Sequence, residues 1–301
     1  MSATESATPA SSTPAIRRPA WLPSERWPAA VGTLTVDGHH VALTDVGDGP
    51  TLLLVHAGMW SFIWRDLIER LRDRFRVITF DPPGSGLSDT GPGAGIEQAA
   101  RVLDAIVTRL DLREVTLVAH DVGGPVALHA ASRWPERVAG LVAVNTFGWR
   151  PTGFLFRSML RLMGNPLMRE LDVWTGWLPR AASTRFGVGR HLDRVDRRAF
   201  RGALGHRGRR GFHRFLRSAA RHDYTAVESA VAHLRDRPVL TIFGERNDPL
   251  RLQPRWRDRV PDVEQAVVPK GYHFPMCDAP DLVAGLITDW HRRHRPGSTT
   301  G

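Results

Sequence analysis

Asp121 stands at the centre of His120-Asp121-Val122-Gly123-Gly124, where the apolar run Val115–Ala119 gives way to a helix-like stretch, Gly124–Arg133. Ala119 two places before it and Gly123 two places after it meet the steric demand of a sharp strand-to-helix turn. Such a turn lifts its middle side chain above the sheet edge. A serine in that position would serve acyl transfer. A carboxylate is already ionised at neutral pH and suits displacement at sp³ carbon. An N-cap role would explain an aspartate before a helix, but not the flanking small residues or the downstream partners. The resemblance given below implies that an acid and then a histidine follow the nucleophile along the chain. Asp248, in Gly244-Glu245-Arg246-Asn247-Asp248 after the apolar run Val239–Phe243, is the first choice of acid, and Glu245 the second. His273 lies five residues beyond Val268, between Gly271 and Phe274-Pro275, and is the expected base. The implied chemistry has two steps. Asp121 attacks an electrophilic carbon to form an alkyl-enzyme ester, and water deprotonated by His273 then hydrolyses it, with Asp248 holding the ring.

These residues need a scaffold, and the periodicity supplies one. TLTV (33–36) and HVALTDV (40–46) read as short strands joined at Asp37-Gly38, a turn signal. LLLVH (52–56) is a continuous apolar run, as in a strand buried on both faces. Helix Ile63–Arg72, strand Val77–Phe80, helix Ile96–Leu110, strand Val115–His120, helix Gly124–Arg133 and strand Val138–Asn145 follow. After about residue 225 the alternation resumes with helix Ala226–Arg235, strand Val239–Phe243, helix Pro254–Val260, strand Glu264–Val268 and helix Pro280–His294. Strands alternating with helices predict an α/β protein with a mostly parallel sheet of eight strands flanked by helices.

The interruption, residues 148–225, is helix-prone and reads as an inserted cap; residues 21–147 and 226–301 form the core. Residues 1–20, rich in Ser, Thr, Ala and Pro, read as a disordered tail with no apolar signal segment, so a cytoplasmic location is expected. The chain of 301 residues carries a net charge of +10 and a single lysine, Lys270. Between Arg150 and Arg221 lie seventeen arginines against four acids, so the basic character belongs to the cap. The plain reading of that surplus is a solvated basic face; steering of an anionic substrate is the second. No apolar run approaches the length of a membrane span. One cysteine, Cys277, excludes an internal disulfide framework. No metal-ligand cluster or phosphate-cradling loop is present, so no cofactor is expected. The partners expected are a small electrophilic substrate and water, with neither nucleic acid nor membrane; the pattern does not specify an oligomeric state.

Over about residues 33–294 the chain resembles the α/β-hydrolase superfamily, in its aspartate-nucleophile branch of haloalkane dehalogenases and epoxide hydrolases. The resemblance rests on His56-Ala57-Gly58, on Asp81-Pro82-Pro83-Gly84-Ser85-Gly86-Leu87-Ser88-Asp89, on the Asp121 segment, on Gly244…Asp248 and on Gly271-Tyr272-His273-Phe274-Pro275. It implies an α/β-hydrolase fold and an oxyanion hole built from the backbone N–H of Val122 with that of Gly58 or Met59. It also implies a stabiliser for the leaving group. Dehalogenases use an indole N–H on the residue after the nucleophile, where this chain has Val122; Trp60, Trp149, Trp174 and Trp177 are the indoles available elsewhere. Epoxide hydrolases use cap tyrosines, for which Tyr224 is the candidate. A ligand-binding protein that keeps the fold without catalysis is the reading of another class.

Overall fold

The computed structural model describes residues 16–27, 30–89, 94–185 and 187–294. A hairpin, β1 (Gly32–Val36) and β2 (His39–Val46), opens the sheet. Then come β3 (Thr51–Val55), α1 (Arg65–Leu71), β4 (Arg76–Phe80), α2 (Ile96–Arg109), β5 (Val115–His120), α3 (Gly123–Ala131) and β6 (Val138–Val144). Five helices intervene: α4 (Phe154–Met163), α5 (Pro166–Thr175), α6 (Trp177–Ala182), α7 (Arg194–Gly202) and α8 (His206–Arg221). The chain returns through α9 (Thr225–His233), β7 (Val239–Gly244), α10 (Leu252–Arg257), β8 (Glu264–Val268), α11 (Pro275–Asp278) and α12 (Pro280–His294). The eight strands lie in the order β1-β2-β4-β3-β5-β6-β7-β8, antiparallel at β1 and β2 and parallel from β4 onward.

The central strands β5 and β6 are buried along their whole length, as their unbroken apolar runs require when both faces are covered. Helices α2, α3 and α9 pack side by side, and α1, α11 and α12 form a second group, which gives the sheet its flanking layers. The expected elements appear where the pattern placed them, with ends differing by a few residues, the usual spread at frayed termini.

Helices α4 and α5 both pack on α8. Buried His213 ties them together: Nδ1 meets the Met163 carbonyl at 2.5 Å and Nε2 lies 3.1 Å from the Asp172 carboxylate. The segment before β1, the loop after β3 and the start of α1 fasten this layer to the core. Arg26 reaches Asp193 at 2.7 Å, Arg65 reaches Asp196 at 3.1 Å, and Trp60 Nε1 donates to the Phe200 carbonyl at 3.1 Å. The expected tail therefore ends earlier than residue 20. Ile16 N–H donates to the Val31 carbonyl at 2.9 Å and the Arg18 guanidinium to the Trp27 carbonyl at 2.6 Å, because the buried Leu22 and Trp27 draw this segment into the core. Residues 1–15 lie outside the described residues.

Helix α3 crosses closely over the end of β3. A Cβ on Gly123 would overlap the Val55 carbonyl oxygen and sit 3.1 Å from the His56 Cα, and one on Gly124 would overlap the Thr146 hydroxyl. Gly123→Ala is expected to cost about 1–3 kcal/mol through overpacking against backbone, seen as a melting temperature lowered by several degrees. Gly153→Ala, whose Cβ would meet nothing within 4 Å, is the matched control and should leave the melting curve in place.

Candidate active site

Asp121 adopts φ +52°, a left-handed conformation that costs a non-glycine residue energy and persists only where its surroundings hold it. They do hold it. Its carbonyl accepts from Gly124 N–H at 3.1 Å and from the Thr146 hydroxyl, while Ala119 before the turn is fully buried. The side chain is thereby directed off the end of β5 and stays about one-third exposed (31%). Burial acts to raise its pKa, but His273 and the Val122 N–H, which bonds the carboxylate, outweigh it and hold Asp121 below the ordinary aspartate range. His273 Nε2 lies 3.8 Å from Asp121 Oδ2. The nucleophile and base expected from sequence thus face one another across 153 residues of chain.

The His273 backbone is fixed from below. Its carbonyl accepts from Asn145 Nδ2 at 2.8 Å and from His120 Nε2 at 2.7 Å. Asn145, itself at φ +40° and buried, also donates to the Tyr272 carbonyl at 2.9 Å and accepts from Gly244 N–H at 3.1 Å. One amide therefore ties the end of β6, the end of β7 and the histidine loop together. In the sequence Asn145 stands out only as the end of the apolar run from Val138.

Two further histidines, His56 and His120, have a structural role that the sequence does not reveal, and their tautomers follow from what they touch. The Met59 N–H can only donate, so His56 Nε2, 3.3 Å away, carries a lone pair. The His273 carbonyl can only accept, so His120 Nε2 carries the proton. Each ring being neutral, His56 Nδ1–H must donate to His120 Nδ1 at 3.1 Å. The directed chain Met59 N–H → His56 → His120 → His273 C=O leaves no polar atom of either ring unpaired. Burial, with the nearby His273, pushes His56 down to about 3 and holds His120 well below its ordinary value of 6.5. Nothing in the local sequence marks these rings, since the pattern shows the residues but not that β3 and β5 are neighbours.

The expected acid is elsewhere. Asp248 spends both carboxylate oxygens on the start of α10, accepting from Leu252 N–H at 2.6 Å and Gln253 N–H at 2.9 Å. Those N–H groups have no partner within the helix, and a carboxylate there also meets the positive end of its dipole. The group on the ring is Asn247, with Nδ2 3.0 Å from His273 Nδ1. Glu245 accepts from Lys270 N–H at 2.6 Å and is likewise occupied.

The remaining sequence candidates separate clearly. Val122 is buried with its N–H at the Asp121 carboxylate. Met59 N–H is committed to His56, which removes it as an oxyanion donor and leaves Gly58, at φ +88° with the Phe212 ring against its Cα side, as the candidate of the pair. The Trp60 N–H is spent on Phe200, and Trp149 lies beneath Arg259 at 4.1 Å and Arg255 at 5.2 Å, packed on Trp256. Trp174 is 83% exposed. Trp177 is half-buried, and its indole N–H has no hydrogen-bond partner among the described residues. The Tyr224 hydroxyl, the expected epoxide donor, gives its only proton to the Ala219 carbonyl at 2.8 Å, because its ring is sealed between cap and core.

Two histidines kept neutral below their ordinary pKa of 6.5 make the fold acid-sensitive. The unfolded chain binds these protons and the folded chain does not, so stability is full above pH 6.5 and falls as pH drops toward 3. The slope is about 1.4 kcal/mol per pH unit for each ring. Urea midpoints measured through this window should show the loss. His120→Phe should flatten the curve while lowering stability at pH 7 by about 1–3 kcal/mol, the cost of the unpaired His56 donor.

Comparison with known proteins gives concordant results. A family profile described as alpha/beta hydrolase fold matches residues 50–194. Haloalkane dehalogenase 2 of Mycobacterium tuberculosis is 31% identical over 261 residues, spanning 81% of this chain and 89% of the relative. The cis-3-alkyl-4-alkyloxetan-2-one decarboxylase of Shewanella oneidensis is 34% identical over 119 residues, 38% of this chain and 37% of that one. The crystal structure of the haloalkane dehalogenase DatA from Agrobacterium tumefaciens superposes with a TM-score of 0.74 at 21% identity, covering 88% of this chain and 97% of that one. With an eight-stranded sheet of this order and a relative matching along four-fifths of its length, the chain belongs to the α/β-hydrolase superfamily, as a haloalkane dehalogenase-like hydrolase.

Proposed function

We propose that the protein hydrolyses the carbon–halogen bond of a small organohalide through a covalent ester on Asp121. The observation that carries this reading is the approach of His273 Nε2 to Asp121 Oδ2 at 3.8 Å, on a turn that projects the carboxylate from the sheet. One Asp121 oxygen forms a bond to the substrate carbon as the halide departs with the bonding pair. Water then attacks the Asp121 carboxyl carbon, its proton passing to His273 Nε2. The tetrahedral oxyanion is met by the N–H groups of Val122 and Gly58, and collapse releases the alcohol. Removing one such donor costs on the order of 3 kcal/mol of barrier.

Asn247 takes the ring-orienting place in this reading. Its NH₂ toward Nδ1 leaves the ring proton on Nε2, facing the nucleophile. Turning the amide over presents Oδ1, so that Nδ1–H donates and Nε2 is free to act as base. An amide orients the ring but leaves the imidazolium charge uncompensated. Halide departure draws on an indole N–H, and those of Trp149 and Trp177 are buried and unspent among the described residues. An epoxide substrate is disfavoured by the engaged hydroxyl of Tyr224.

His273→Gln should arrest turnover after the first step, and mass spectrometry of the peptide holding residue 121 should show the added alkyl group; Asp121→Asn should show neither halide release nor adduct. Absence of an adduct with a bromoalkane that the unmodified enzyme turns over would exclude the covalent route. Asn247→Asp should accelerate ester hydrolysis, since the reverse exchange in a serine protease triad slows catalysis about 10⁴-fold. Asp248→Asn should leave single-turnover hydrolysis within about threefold, since an amide still caps α10; collapse of that rate would return the acid's role to Asp248.

A further inference from the structure

The outer layer of the cap presents an apolar face that the catalytic reading does not use. On α4, Leu155, Met159 and Leu162 are exposed at spacings of four and three residues; on α5, Leu167, Leu171 and Trp174 repeat the same spacing. Each set lies on one side of its helix, since residues three and four apart are neighbours on a helix surface. Both helices bury the opposite side (Phe156 and Leu160, Asp172 and Val173) and pack on α8, so both apolar rows turn to solvent. Exposure of Leu167 reaches 77% and of Trp174 83%. A contiguous patch of this kind marks a contact surface rather than scattered surface hydrophobes.

The cap's surface near it is cationic. Arg157 and Arg161 on α4 are exposed and make no ion pair among the described residues; with Arg150, Arg221 and His222 they line a cleft of about 300 Å³ between α4 and the end of α8. Arg150 is the member with an acid, Asp223, at 3.1 Å. The five acids of the cap are all engaged: Asp223 with Arg150, Glu170 with Arg169 and Arg210, Asp172 with His213, Asp193 with Arg26, and Asp196 with Arg26 and Arg65. The surplus positive charge is therefore displayed and not neutralised internally.

We propose that this face docks the enzyme onto the surface of an anionic lipid bilayer, with the leucines and Trp174 entering the headgroup boundary and the flanking arginines meeting lipid phosphates. Amphipathic helices with leucine and tryptophan on one side and arginine beside them bind interfaces in this way without spanning them. Charge argues against a second copy as the occupant, because pairing the faces would bring two unneutralised arginine clusters together. Composition argues against the chain's own ends: residues 1–15 and 295–301 contain no Leu, Ile, Val or aromatic side chain. Expected from sequence was no membrane partner, since no run could span one. A peripheral contact needs no span, and no helix among the described residues is long and apolar enough to make one.

The test is co-sedimentation of the full-length protein with vesicles of phosphatidylcholine alone or mixed with phosphatidylglycerol. Binding to the mixed vesicles only, weakened by salt and about tenfold by Arg157→Gln with Arg161→Gln, is expected. Leu155→Ser, Leu162→Ser and Leu167→Ser combined should abolish it at an unchanged melting temperature. Failure to sediment with the mixed vesicles overturns the proposal. So does sedimentation that the serine variant retains, which would make the contact a matter of charge alone. A dimer by light scattering that the serine variant dissociates, with no vesicle binding, would assign the face to self-association instead.

Discussion

The site depends on a backbone conformation that an aspartate does not choose for itself. Asp121 is held in the left-handed region by a hydroxyl and an N–H on its own carbonyl, and by glycines that let the next turn press onto the end of β3. Without that crowding the turn would open and the carboxylate would fall back toward the helix start. The conformational cost at one residue is thus met by the packing of β3, β5 and β6, three parallel strands buried on both faces.

The base is positioned by a different device. His273 sits on a loop, and loops move unless their backbone groups are claimed. Two buried side chains from the sheet, Asn145 and His120, claim its carbonyl, and the neutral pair His56–His120 passes that constraint down to the Met59 backbone. Keeping both inner rings uncharged matters to the chemistry as well as to the fold. A second positive charge beneath His273 would oppose protonation of its imidazole.

The cap contributes in two directions. Inward, α7 and α8 lay Phe200 and Phe212 over the loop that follows β3. Outward, α4 and α5 show leucines to solvent, and α4 shows two arginines without an ion pair among the described residues.

The sequence alone determined the layered architecture, because buried parallel strands and amphipathic helices leave different periodicities. It also singled out Asp121 and His273, because the small residues around Asp121 and the place of His273 after the last strand are local features. Tertiary structure alone decided the rest. Whether Asp248 or Asn247 meets the imidazole depends on which side chain the start of α10 captures, and adjacent residues cannot be told apart by spacing. Which indoles and hydroxyls remain unspent depends on carbonyls from distant segments, such as Phe200 for Trp60 and Ala219 for Tyr224. The histidine chain joins β3, β5 and the loop after β8, elements that no local pattern places side by side. Pattern reports what each segment buries, whereas hydrogen-bond partnership is settled only when segments far apart in the chain are brought within three ångströms of one another.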